Sequence, residues 1–177
     1  MIGMQKTKQL TLCAILICLA LALSYVEHFI PLHLLIPLPG IKLGLANIVT
    51  LIALYLLGAK SAFTVLVLRC ILGAAFGGGV TSFLFSVTGG LLAMAVMTAA
   101  QHVKKLSIYG VSILGAAFHN IGQILIAMLL MKSVYVAAYL PYLLGVAIFT
   151  GLLTGSACAG TLRALHTIRI NRKGASA

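Results

Sequence analysis

The sequence predicts an all-α integral membrane protein of six transmembrane helices with both termini in the cytoplasm. Three observations carry that prediction. The 177 residues are 62% hydrophobic and only 7% charged, whereas a soluble domain is about half apolar and about a quarter charged. The apolar residues fall into six runs near the roughly 20 residues that a helical span requires. The 12 Lys and Arg residues segregate between the two sides of such a bundle, as the positive-inside rule demands.

The chain reads as one membrane domain over residues 1–177. The first span covers residues 10–30. Lys6 and Lys8 ahead of it imitate a signal peptide, but the run is too long and the rest of the chain is equally apolar. An apolar loop from Pro31 to Gly40 follows, rigidified by Pro31, Pro37 and Pro39. The second span covers 41–58 and the third 61–76. The third is short and carries Arg69, so a re-entrant segment is the alternative there. Gly77, Gly78 and Gly79 separate it from the fourth span, 80–101. His102, Lys104 and Lys105 precede the fifth, 108–131. The sixth covers 139–165, with Tyr135, Tyr139 and Tyr142 at its outer boundary, where interfacial aromatics gather. A basic cytoplasmic tail, 166–177, ends the chain.

With six spans, Lys6, Lys8, Lys60, Lys104, Lys105, Arg163, Arg169, Arg172 and Lys173 share one side. Only Lys42 and Lys132 fall on the other, and Arg69 lies within the membrane. Five or seven spans would mix the two sets. The rule therefore places both termini in the cytoplasm; the expected location is a prokaryotic plasma or inner membrane.

The charge balance excludes much chemistry. Glu27 is the sole acid against 12 cations, a net charge of +11, and there is no Asp. Paired-carboxylate hydrolysis, two-metal catalysis and calcium sites all need several carboxylates. No GxxxxGK[ST] loop is present, so the chain cannot hydrolyse ATP by itself. It is read as a non-enzyme with no cofactor and no metal. A basic chain often binds nucleic acid, but here the cations sit between apolar runs, so no nucleic acid is expected. Cys13, Cys18, Cys70 and Cys158 all fall in apolar runs without CxxC spacing, which makes them packing residues.

Polar groups inside a membrane are expensive, and their placement is informative. Glu27 lies near the outer end of the first span. Lys42 opens the second, with Asn47 roughly 8 Å deeper. Arg69 is halfway along the third span, Ser82 and Ser86 are in the outer half of the fourth, and His119, Asn120 and Gln123 run outward on the fifth. All lie between the outer surface and the midplane, which points to a cavity open to the outside. Glu27 can neutralise only one of Arg69 and Lys42. The remaining cation suits a carboxylate or phosphate, for which Arg offers a bidentate fork. The plainer reading is that these side chains tie helices together, or that Arg69 snorkels or caps carbonyls. The candidate binding set is Glu27, Lys42, Asn47, Arg69, Ser86, His119, Asn120 and Gln123, under a lid made by the loop of Pro31, Pro37, Pro39 and Gly40.

Small residues recur at i+4 on two spans, as Ala14, Cys18 and Ala22 and as Ala147, Gly151, Gly155 and Ala159. Such stripes let another helix approach closely, either within this chain or on a second membrane protein.

The runs Pro39-Gly-Ile-Lys-Leu-Gly-Leu-Ala-Asn47, Ser86-Val-Thr-Gly-Gly90 and Ser112-Ile-Leu-Gly-Ala-Ala-Phe-His-Asn-Ile-Gly-Gln123 resemble the Gx transporter family, also named heptaprenyl diphosphate synthase component I. That family is similar to the substrate-binding S components of energy-coupling factor (ECF) transporters. The resemblance covers about 10–165, and the Gly-Ala-x-x-His-Asn-x-x-Gln core is its most specific part. It implies an S-component-like bundle that captures its substrate at the outer face, beneath the first external loop. It also implies a transmembrane coupling subunit and two cytoplasmic ATPases as partners. S components dock through small residues of the first helix, here Ala14, Cys18 and Ala22, with cysteine where alanine is usual. Trans-prenyl synthases hold magnesium with Asp-rich motifs, so a chain without Asp is not the catalytic subunit.

The expected function is thus a substrate-binding subunit of an ECF-type uptake transporter for a small anionic or amphipathic nutrient or precursor. The alternative is a non-catalytic membrane accessory of a prenyl diphosphate synthase or an isoprenoid or quinone pathway. A third option is an autonomous carrier.

Overall fold

The computed structural model describes the backbone of residues 2–29 and 42–174, and the side chains of residues 6–27, 29 and 42–168. The expected lid, Pro31, Pro37, Pro39 and Gly40, lies outside the described residues. All the described elements are helical. In order they are α1 (Ile2–His28), α2 (Asn47–Leu57), α3 (Ala59–Gly73), a π-helical turn (Ala74–Gly78), α4 (Gly79–Ala100), α5 (Ile108–Met131), a 3-10 turn (Val134–Tyr139) and α6 (Leu140–Gly174).

Local chemistry sets the breaks. Helix α2 ends at Gly58, whose φ of 83° a side chain would resist, and α3 starts at the next residue. At the far end of α3, Gly77 takes a φ of 111° and folds the chain back on itself. The continuous apolar stretch Ala59–Ala100 is therefore a hairpin, in which Gly90 of α4 lies against Leu66 of α3. Ser107 caps α5, its hydroxyl accepting the Gly110 N–H at 3.3 Å.

The observed bounds differ from the expected ones in three places. The second expected span, 41–58, is reduced to the 11 residues of α2. That is about 16 Å of helix, half the roughly 30 Å hydrocarbon thickness. The expected tail 166–177 is not separate, because α6 continues to Gly174. Nothing between Leu165 and Gly174 breaks a helix. At the other end α1 begins at Ile2, eight residues before the expected start at 10, since Lys6 and Lys8 are good helix formers. Four stretches are long and apolar enough to cross a membrane: Lys6–Glu27, Ala59–Ala100, Ile108–Met131 and Val134–Ile168. Large apolar side chains such as Phe29, Phe63, Phe76, Leu129 and Phe149 are exposed, which suits lipid surroundings.

Helices α4, α5 and α6 pack side by side, and α2 is buried among the others. Close approach comes from glycine. A Cβ at Gly122 of α5 would lie 2.8 Å from the Gly89 Cα of α4, and one at Gly151 of α6 would meet the Ile113 backbone of α5. The stripe Ala147, Gly151, Gly155 and Ala159 is accordingly buried within this chain. Helix α1 is peripheral and packs only on α2 and α3 among the described elements. Its residues Ala14, Cys18 and Ala22 are exposed.

Candidate functional site

The polar residues converge where the segment leading into α2 passes between α1, α4 and α5. Gln123 of α5, fully buried, holds that segment by its main chain. The Lys42 N–H donates to Gln123 Oε1 at 2.8 Å, and Gln123 Nε2 donates to the Lys42 carbonyl at 2.7 Å. Two residues on, the Gly44 N–H donates to the buried carboxylate of Glu27. Gly44 has a φ of 83°, and a Cβ there would sit 2.9 Å from the His119 ring. Glycine is required at this position on both counts.

These anchors place two cations. Lys42 Nζ donates to Ser86 Oγ of α4 at 3.0 Å. The Arg69 guanidinium, only 6% exposed, donates to Asn47 Oδ1 at 3.1 Å, while its Nε–H has no partner. Gly90 of α4 leaves room for the Leu66 side chain, which a Cβ there would meet at 2.6 Å. The sequence suggested that Glu27 neutralises one of Lys42 and Arg69. Instead Glu27 takes a backbone N–H of the α2 lead-in, and the hydroxyl of Ser86 and the amide of Asn47 orient the cations.

A cavity of about 540 Å³ lies beside this cluster, within the usual range for small-molecule sites. Of the expected binding residues, Lys42, Arg69 and Ser86 line it. Glu27, Asn47, His119 and Gln123 stand behind them. His119 is sealed between Gly44 and Gly89, and neither ring nitrogen makes a well-formed hydrogen bond. Asn120 is turned away from the cluster: its Nδ2 donates to the Leu143 carbonyl of α6 at 2.7 Å. It ties α5 to α6, because a residue one step from His119 faces about 100° around the helix.

The cavity wall includes residues that the sequence did not single out for binding: Tyr25, Phe76 and Phe83, with Cys18 and Ala22, which were expected to dock a partner. The signal was present in part. Cys18, Ala22 and Tyr25 follow one another at helical spacing along one face of α1.

The three glycine-bearing runs of the chain thus build one place: Gly44 and Gly89 around His119, Gly90 against Leu66, Gly122 against α4. A sequence model of heptaprenyl diphosphate synthase component I matches residues 16–161, which takes in all of these residues. The chain belongs to that family. Comparisons with curated proteins and with solved structures gave no match. In this heptaprenyl diphosphate synthase component I protein the matched region begins inside α1 and ends inside α6. It leaves out most of the Lys and Arg residues at the two ends of the chain.

Proposed function

We propose that the chain is the substrate-binding membrane subunit of an ECF-type uptake transporter, taking a small anionic or amphipathic molecule from the outer face. Both termini face the cytoplasm in this reading, as the distribution of Lys and Arg supports. The observation that carries it is the cavity itself. Two cations, Lys42 and Arg69, border it, and no carboxylate lines it among the described residues. Arg69 lines the cavity with a neutral acceptor, the Asn47 amide oxygen, and such a cation favours an anion as a further partner. The eight residues Glu27, Lys42, Asn47, Arg69, Ser86, His119, Asn120 and Gln123 share the work, with Lys42 and Arg69 touching the ligand and Asn120 holding α5 to α6. With no P-loop, no Asp and one Glu, the chain itself is not an enzyme, and transport energy comes from two ATPases through a coupling subunit. Of the exposed stripe Ala14, Cys18 and Ala22, Ala14 lies clear of the cavity and supports docking to that subunit, while Cys18 and Ala22 share the cavity wall.

The family's name favours a second reading, a non-catalytic membrane accessory of a prenyl diphosphate synthase. Purification of the tagged chain from its own membranes separates the two. Recovery with ATPases and a membrane coupling subunit supports transport. Recovery with a soluble synthase and no ATPase overturns it. Arg69→Ala is expected to abolish anion binding while the protein stays folded in detergent, and unchanged affinity defeats the anion pocket.

A further inference from the structure

Among the described residues the cavity is not walled on every side. Its walls are α1, with Cys18, Ala22 and Tyr25, and α4, with Phe83 and Ser86, and α3 forms its floor. Among the described elements α1 packs on α2 and α3 and makes no contact with α4. A slot therefore runs along the side of the bundle between α1 and α4. From Tyr25 to Cys18 it extends roughly 10 Å along the helix. Its rim is apolar and open: Tyr25 is 67% and Phe76 79% exposed. In a chain embedded in lipid, that opening faces acyl chains.

The two ends of the cavity differ in chemistry. Lys42 and Arg69 lie at the inner end, held by Ser86 and Asn47, and the buried Arg69 Nε–H is unpartnered. Toward the rim the lining turns to Leu21, Ala22, Tyr25, Phe76 and Phe83. A wholly polar ligand would leave this half without partners, and a wholly apolar one would leave the guanidinium bare.

We infer that the cavity takes an amphiphile with one anionic head, a phosphate or a carboxylate, and an apolar chain, admitted sideways from the bilayer through the slot between α1 and α4. This rests on the anion-binding reading above and adds the ligand's chain and its route. The head exchanges hydration for the Arg69 fork and the Lys42 ammonium, which is the specific part of the affinity. The chain passes from lipid to an apolar wall at little cost or gain, so it decides the route more than the strength.

The chain contains no Trp, so Phe83→Trp places a unique fluorophore on the cavity wall. The full-length variant is reconstituted in zwitterionic nanodiscs and titrated with trace dodecyl phosphate or dodecanoate, each brominated at the far end of its chain. Saturable quenching is expected, because the bromine must lie in the slot to reach the indole. Unlabelled dodecyl phosphate is expected to reverse it, and Arg69→Gln to weaken it about tenfold. Which head binds better distinguishes a phosphate from a carboxylate ligand. Ala22→Leu in the Phe83→Trp background, made as Ala22→Val if it folds poorly by circular dichroism, narrows the slot. It is expected to abolish quenching while inorganic phosphate still protects Arg69 from phenylglyoxal. If inorganic phosphate binds in an Arg69-dependent way but the brominated chains never quench saturably, the amphiphile and its lateral route are wrong and the anion pocket survives. If no anion shows Arg69-dependent binding, both fall. Equal quenching by a brominated alcohol also overturns the proposal, since the cations would then play no part.

Discussion

Replacing Gln123 by Met removes both ends of the clamp on Lys42 and keeps the length of the side chain. The wild-type amide makes two hydrogen bonds to one residue, at 2.8 and 2.7 Å, from a position with no exposure. Each such bond contributes about 1 kcal/mol net. Lys42 is half-buried, so water can reach its freed main chain and the full desolvation penalty does not arise. The expected loss is therefore about 2 kcal/mol, or roughly 4–8 °C in Tm for a chain of this size. The protein carries its own reporters. Cys70 and Cys158 are buried at 3% and 0% exposure, so a thiol-reactive dye reads unfolding in detergent above the background from Cys13 and Cys18. Because Gln123 sets where the Lys42 ammonium sits, anion affinity should fall together with Tm. A shift below about 1 °C with unchanged affinity would refute the argument that this amide positions the cation.

Other residues separate support from binding. Asn120→Leu should lower stability by about 1–3 kcal/mol, since it leaves the buried Leu143 carbonyl without its donor. Anion affinity should survive in the folded fraction, and a loss of binding at full stability would place Asn120 back in the site. Gly122→Val should cost at least about 1–3 kcal/mol, because the nearest atoms to a new Cβ are the Gly89 backbone and not a movable side chain. A wild-type melting curve would show that α4 and α5 are not so close. In the folded protein a maleimide should label the exposed Cys18 and spare Cys70 and Cys158, and saturating dodecyl phosphate should slow that labelling. Cys18 reactivity indifferent to the amphiphile would argue against occupancy of the α1 wall.

Much of the arrangement was legible in one dimension. Apolar runs of membrane length, glycine breaks and the placement of twelve cations around a single acid pointed to a helical membrane bundle with a polar cluster toward one end. Arg69 and Lys42 stood out because one carboxylate cannot neutralise both. The matched region and the buried cluster agree with that reading. The partners were not legible. Glu27 bonds a main-chain N–H seventeen residues away, and Gln123 grips Lys42 across 81 residues. Backbone groups carry no side-chain signature that sequence could display. The sequence left open whether Asn120 binds or ties helices, because adjacent polar residues on a helix look alike in sequence but point to different neighbours.

Composition and spacing by themselves pointed to lipid surroundings, the helical class and the imbalance between Glu27 and the cations, because these depend only on which residues are present and how far apart they lie. Tertiary structure alone decided that α2 is a short buried helix, that the stripe on α6 is spent inside the chain while the one on α1 stays open, and that a slot separates α1 from α4. Those facts depend on which helix faces meet. Glycines of similar appearance in the sequence become close contacts at Gly89, Gly122 and Gly151 and a fold-back at Gly77 only when a second backbone, or a left-handed turn, occupies the space that their missing Cβ leaves.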